Sequence, residues 1–161
     1  MTLVVCDTSV LSYLALIDQL PLLHKLFGQV TLPSAVLAEC LHPDAPELLR
    51  SALTPALPSF AVVFAGGPNL LETNSLDPGE AEAISIAWHY RSDSLLLIDE
   101  KQGRAIAASL GLRVRGLLGL LMEGHRRQFL DFDPVLARLK PLGFRLSEQL
   151  IKDARSSLDL T

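Results

Sequence analysis

Apolar positions along the chain follow two patterns that alternate. Unbroken runs such as Leu3, Val4, Val5 and Cys6, or Leu95, Leu96, Leu97 and Ile98, lack polar alternation and predict parallel strands covered on both faces. Val30, Thr31 and Leu32, residues 60–65 and residues 112–115 predict three further short strands. Between these runs the spacing turns helical. Val10, Leu11, Tyr13, Leu14 and Leu16 follow the capping pair Thr8 and Ser9, residues 18–27 stop at Gly28, and residues 35–40 follow Ser34. Residues 44–53, a segment beginning at Asp77, residues 103–110 closed by Gly111, and residues 116–124, 134–142 and 147–157 continue the series. Strand and helix alternate through most of the chain. This predicts an α/β architecture with a central, mainly parallel sheet and extra helices toward the C-terminus.

Carboxylates fall where such a fold resists them. Asp7 closes the first strand and Asp99 closes the Leu95–Ile98 run, both at the carboxyl edge where open α/β sheets bind ligands. A buried carboxylate is costly unless it is paired or bound to a metal. Asp7 has a plainer use as the cap of the helix that follows it. Glu39, the one acid in its helix, faces either solvent or the sheet edge near Asp7. Asp77-Pro78-Gly79-Glu80 spells a helix start with a capping box, which accounts for Glu80 but not for Glu82. The two glutamates differ by about 200° on a regular helix, so joint action requires one to reach round its first turn. Ala83, Ile84, Ile86, Ala87 and Trp88 make the rest of that helix apolar and predict packing on two sides.

Composition narrows the chemistry. A chain of 161 residues, 49% hydrophobic and 20% charged, fits one domain over 1–161, with a core to about residue 125 and a helical extension over about 126–161. With no apolar run long enough for a bilayer and no basic leader, the expectation is a cytoplasmic protein without membrane contact. Cys6 and Cys40 lack metal spacing and read as reduced, buried thiols, and the four histidines are scattered. There is no G-x-S-x-G, Walker A loop, G-x-G-x-x-G or C-x-x-C. Residues 1–100 carry 3 basic and 12 acidic side chains, and residues 101–161 carry 11 and 6. That imbalance suits an acidic site rimmed by a basic surface, or else a chance scatter of solvated charge. The carboxylates Asp7, Glu39, Glu80, Glu82 and Asp99 remain. Oxygen-only ligands select Mg²⁺ or Mn²⁺, and such a site suits phosphodiester hydrolysis. Asp7 and Asp99 are the expected metal ligands, Glu80 and Glu82 hold the same ion or a second, and Glu39 orients or activates water. Lys101, Arg104, Arg113, Arg115, Arg126 and Arg127 are available to phosphate. Arg104 leads, against an ion pair with Glu100 four residues earlier. Thr8, Ser9 and Lys101 join it as substrate-binding candidates. His125, Arg126 and Arg127 also suit a helix C-terminus.

The ordered set V-V-C-D-T-S at Asp7, L-P-S-A-V-L-A-E at Glu39, D-P-G-E-A-E-A-I at Glu80 and Glu82, and L-L-L-I-D-E at Asp99 resembles the PIN domain. The resemblance implies a three-layer α/β/α Rossmann-like nuclease fold with an acidic Mg²⁺ or Mn²⁺ site. It further implies RNA as substrate, a homodimer and, as in the VapC-like toxins of toxin-antitoxin pairs, an antitoxin-like protein partner. The E-A-E-A run is also similar to PIN-related flap endonucleases, where both glutamates serve the metals. Many VapC-like toxins carry aspartate in the third acidic position and a T-x-D element in the fourth. This chain looks closer to an uncharacterised prokaryotic branch with G-E-A-E-A and I-D-E motifs followed by Gly-Arg, here Gly103 and Arg104. That departure leaves an alternative, a non-catalytic module of the same fold that binds a protein or RNA partner.

Overall fold

The computed structural model describes residues 1–63 and 70–160. Five strands, β1 (Leu3–Cys6), β2 (Val30–Pro33), β3 (Phe60–Val63), β4 (Ser94–Leu97) and β5 (Val114–Arg115), form one sheet in the order β3-β2-β1-β4-β5. Every pairing in it is parallel. β1 and β2 are buried almost throughout, which is why their sequences show no alternation. Helices α1 (Thr8–Leu16), α2 (Leu22–Phe27), α3 (Ser34–Leu41), α4 (Glu47–Ala56), α5 (Pro78–His89) and α6 (Lys101–Ser109) supply the crossovers. α5 lies across β1, β4 and β2 and joins Ala83, Ile84, Ile86 and Ala87 to Val5, Leu96 and Ile98 in one apolar cluster. Val4, Cys6 and Leu97, pointing the other way along their strands, are buried as well. The sheet is therefore covered on both faces, giving a three-layer α/β/α fold.

Several boundaries differ from the sequence expectation. Asp18 adopts a left-handed backbone (φ 58°), so α1 and α2 are separate and α2 begins only at Leu22. α4 starts at Glu47, because Pro46 sits extended (ψ 133°) at its cap, and it runs through Pro55 to Ala56. Of the expected strand over 60–65, Phe60–Val63 is formed and the last two positions lie outside the described residues. Among the described residues no helix is long and apolar enough to cross a membrane.

The chain divides into two compact units, Met1–Leu117 and Leu118–Thr161. The first contains the sheet. The second comprises most of α7 (Leu117–Arg126), then α8 (Phe132–Leu139) and α9 (Glu148–Ser157), with Ser147 capping α9 through Leu150 N–H at 3.1 Å, as its sequence predicts. Phe132, Val135 and Leu139 are its buried residues on α8, and Asp133 pairs with Arg155.

We propose that residues 1–161 nonetheless unfold as one domain. Ile84→Ala, which empties a fully buried site, should cost about 2–5 kcal/mol and lower a single calorimetric transition as a whole. A second transition left in place would make Leu118–Thr161 a domain of its own.

Candidate active site

The strand order reverses direction between β1 and β4, the switch point at whose carboxyl ends open α/β sheets bind ligands. Asp7 sits there fully buried, its N–H donating to Leu97 O at 2.9 Å. Its Oδ2 accepts from Ser9 N–H (3.3 Å) and from the Ser9 hydroxyl (2.9 Å), so it caps α1 as its plainer reading requires. The same Ser9 Oγ accepts the Asp99 N–H at 3.0 Å. One hydroxyl thus fastens the end of β1 to the segment leaving β4. The second oxygen, Asp7 Oδ1, is buried without a hydrogen-bond partner among the described residues. Burial raises the pKa of Asp7 above its ordinary value. The Ser9 hydroxyl and the Thr8 and Ser9 N–H groups oppose that rise, and the Glu39 charge adds to it.

Glu39 and Glu82 occupy a second arrangement, in which each caps the other's helix. Glu39 Oε1 accepts Gly79 N–H at 2.8 Å in the first turn of α5, and its Oε2 accepts the Thr8 hydroxyl at 2.6 Å. Glu82 Oε2 accepts Ala35 N–H at 2.8 Å in the first turn of α3, and Oε1 accepts the Ser34 hydroxyl at 3.0 Å. Neither helix has a side-chain cap from its own N-terminal residue, Pro33 or Asp77, so each borrows a carboxylate from its neighbour. A Cβ on Gly79 would stand 2.5 Å from Glu39 Oε2, so a side chain there would push that carboxylate aside. Glu39 therefore points inward toward Asp7, the second of its two expected geometries. Glu82 is turned to α3, as the angular separation from Glu80 demands.

Glu80 is buried in the first turn of α5, and its pKa is raised from an ordinary 4.5 to about 7. Burial is the main cause, followed by the charges of Asp7 and Glu100, while the Asp77 N–H opposes them. The capping box is thus present only in part, since the Asp77 side chain makes no cap bond. Glu100 is the site residue the sequence reading missed as an acid. It caps α6 through Gly103 N–H at 2.7 Å, and its charge reaches Glu80. The signal was the second acid of I-D-E, read only as a partner for Arg104. Asp99 Oδ1 accepts Leu117 N–H at 3.0 Å and lies 3.8 Å from Arg104 Nη1. The ion pair of Arg104 in this structure is therefore with Asp99 and not with Glu100, the partner weighed against a phosphate contact.

The remaining basic candidates are dispersed. Lys101 is exposed at the start of α6. Arg113 donates from Nε to Ser94 O (3.1 Å), at the opposite edge of the sheet from Asp7, and Arg115 lies beside Leu97 at the carboxyl edge. In the second unit, Arg126 and Arg127 both pair with Glu123, at 3.9 and 2.7 Å. His125 Nδ1 accepts the Phe132 N–H at 3.2 Å. The hydroxyls of Thr8 and Ser9 are both spent within the acidic cluster.

Among the described residues, no three carboxylate, histidine or cysteine side chains form a ready metal cage. The reason is visible in the bonds above: Glu39 and Glu82 are held by helix N-termini, and Asp99 by Leu117 and Arg104. The donor set still fits a hard cation at one place. Asp7 Oδ1 is a buried oxygen with no hydrogen-bond partner among the described residues, and Glu80, which feels the Asp7 charge, has its pKa raised to about 7 by burial.

A buried carboxylate crevice at the switch point of a parallel α/β/α sheet defines a class of acidic, oxygen-ligand site. A family model described as the PIN domain matches residues 3–159, and the chain belongs to the PIN-domain family. The PIN domain is a nuclease-type fold. No curated protein matches the chain.

Raised carboxyl pKa values set a pH dependence for the metal-free protein. Between about pH 4.5 and about pH 7 the folded state holds a proton on Glu80 that the unfolded chain has released. Stability therefore falls as pH rises through this window and levels above it, and Asp7, raised for the same reason, adds a slope of the same sign. Glu80→Gln should flatten the Glu80 part of that slope and stabilise the metal-free protein at pH 8 by about 1–3 kcal/mol. Urea unfolding across the pH range measures both, and a loss of stability instead would assign Glu80 to capping alone.

Proposed function

We propose that this chain is a metal-dependent ribonuclease that hydrolyses RNA phosphodiester bonds with Mg²⁺ or Mn²⁺ and acts in the cytoplasm. The observation that carries the reading is Asp7 Oδ1, a buried carboxylate oxygen with no hydrogen-bond donor at the switch point of the sheet. Membership of a nuclease-type family supports it. Asp7, Glu80 and Asp99 would hold the ion, with Glu100, whose charge reaches Glu80, as a further candidate. Glu82 would join them only by leaving α3. A divalent cation in such a site supplies a metal-bound water and charge neutralisation at the scissile phosphate.

The chain's own residues do the rest. Ser9 keeps Asp7 and Asp99 in register. Glu39, held by Gly79 and Thr8 at the rim, is placed to orient or deprotonate water. Glu80, with its pKa raised to about 7, would bind a cation in its deprotonated form. Arg104 is the guanidinium nearest Asp99 and the leading contact for a substrate phosphate, with Lys101 beside it on α6. A restraining antitoxin-like partner, as for a toxin of a toxin-antitoxin pair, and a homodimer are part of the same proposal. Their support is the family alone.

One observation favours a second reading, a non-catalytic module that binds a protein or RNA. Glu39, Glu82 and Asp99 each have a protein partner without any metal. Calorimetric titration with Mn²⁺ separates the two, since a module lacks a site-specific Mn²⁺ isotherm at millimolar metal.

Purified protein should cleave single-stranded or structured RNA with Mn²⁺ or Mg²⁺ and stop on addition of EDTA. Asp7→Asn should lower the rate by about 10²-fold or more, as expected for a group that holds the cation. Unchanged cleavage by that variant would remove Asp7, and with it this mechanism.

A further inference from the structure

The approach of Arg104 to Asp99 is built by a third residue. Gly116 stands where β5 gives way to α7, and a Cβ there would lie 2.7 Å from Asp99 Oδ1 and 3.0 Å from Arg104 Nη1. Any side chain at 116 would take the ground on which carboxylate and guanidinium meet. Glu100, the other acid within reach along α6, is turned to Gly103 N–H and leaves Arg104 to Asp99. The Arg104 side chain is 50% exposed and Asp99 only 14%, and the separation of 3.8 Å is long for an ion pair. Such a contact is weak and exchangeable. Asp99 Oδ2 takes no hydrogen bond among the described residues, so the carboxylate keeps one face free while Oδ1 is held by Leu117 and Arg104.

We propose that Arg104, seated in the notch left by Gly116, is a displaceable counterion that occupies Asp99 until a divalent cation takes that carboxylate, and then turns to a substrate phosphate. The inference rests on the nuclease reading above and concerns the regulation of that same site. A dication at Asp99 repels the guanidinium and satisfies the carboxylate together. The half-exposed fork of Arg104 then meets an RNA phosphate with two parallel N–H donors. Because one residue serves both ligands, metal and RNA promote each other's binding by equal factors. Without either, Arg104 neutralises part of an acidic crevice that would otherwise repel RNA.

The test uses the full-length protein and reads binding rather than cleavage. Mn²⁺ affinity without RNA is measured by calorimetry for wild type, Arg104→Ala, Arg104→Gln and a control, Arg91→Ala, whose guanidinium lies over the Trp88 ring 4.5 Å from its centroid. Binding of a slowly cleaved phosphorothioate oligoribonucleotide is then measured with and without Mn²⁺ over a range of salt. Both Arg104 variants should bind Mn²⁺ about two- to fivefold more tightly than wild type. They should bind the oligoribonucleotide more weakly, with a salt slope lower by about one and a smaller gain from metal. The control should match wild type in all three. Thermal melting confirms folding, and Arg104→Gln, which keeps the length of the side chain, serves if the alanine variant does not fold. If wild type binds Mn²⁺ and the variants bind it equally or more weakly, the counterion role fails while the nuclease reading stands. A wild type with no Mn²⁺ site overturns both.

Discussion

A fully buried carboxylate at the end of β1 is the constraint around which the site is arranged. Asp7 cannot be solvated, so the chain satisfies one oxygen with Ser9 and leaves the other bare. The Ser9 hydroxyl has a second task, since it also accepts the Asp99 N–H and locks the two strand ends at a fixed spacing. Removing that hydroxyl would leave Asp7 Oδ2 with a longer backbone bond and the Asp99 N–H with no acceptor.

Around it, like charges are kept apart by giving most of them a local donor. Glu39 and Glu82 are exchanged between α3 and α5, each on a helix N-terminus where the backbone supplies N–H groups and positive potential. Glu100 and Asp99 do the same at α6 and at Leu117. Glu80 has only a weak backbone donor. It therefore carries the raised pKa of about 7, because burial and its neighbours penalise its charge without compensation. The residue with the least local support is the one whose charge state a cation would change most. Structural capping and candidate chemistry are thus two uses of one acidic set.

Glycine has a similar double role at two positions. Gly79 admits Glu39 to the start of α5, and Gly116 admits Arg104 to Asp99. Neither has a positive φ, so the demand is for space and not for backbone freedom. In both places a methyl group would move a carboxylate.

The sequence by itself determined the layering and the edge. Unbroken apolar runs required strands covered on both sides, and the acids closing them required a polar crevice at the carboxyl ends, because desolvating a charge elsewhere in such a sheet has no compensation. It also marked Ser147 as a cap, Asp7 as both cap and crevice residue, and the ordered motifs of the family. Tertiary structure decided how the acids divide their work. Glu39 and Glu82 find N–H donors on helices 40 and 47 residues away, and no local pattern encodes that exchange. Arg104 meets Asp99 in the space left by Gly116, 12 residues beyond the arginine in sequence, while Glu100 is turned to Gly103. Charge pairing at that range follows from packing, which the order of residues implies only once the sheet is assembled.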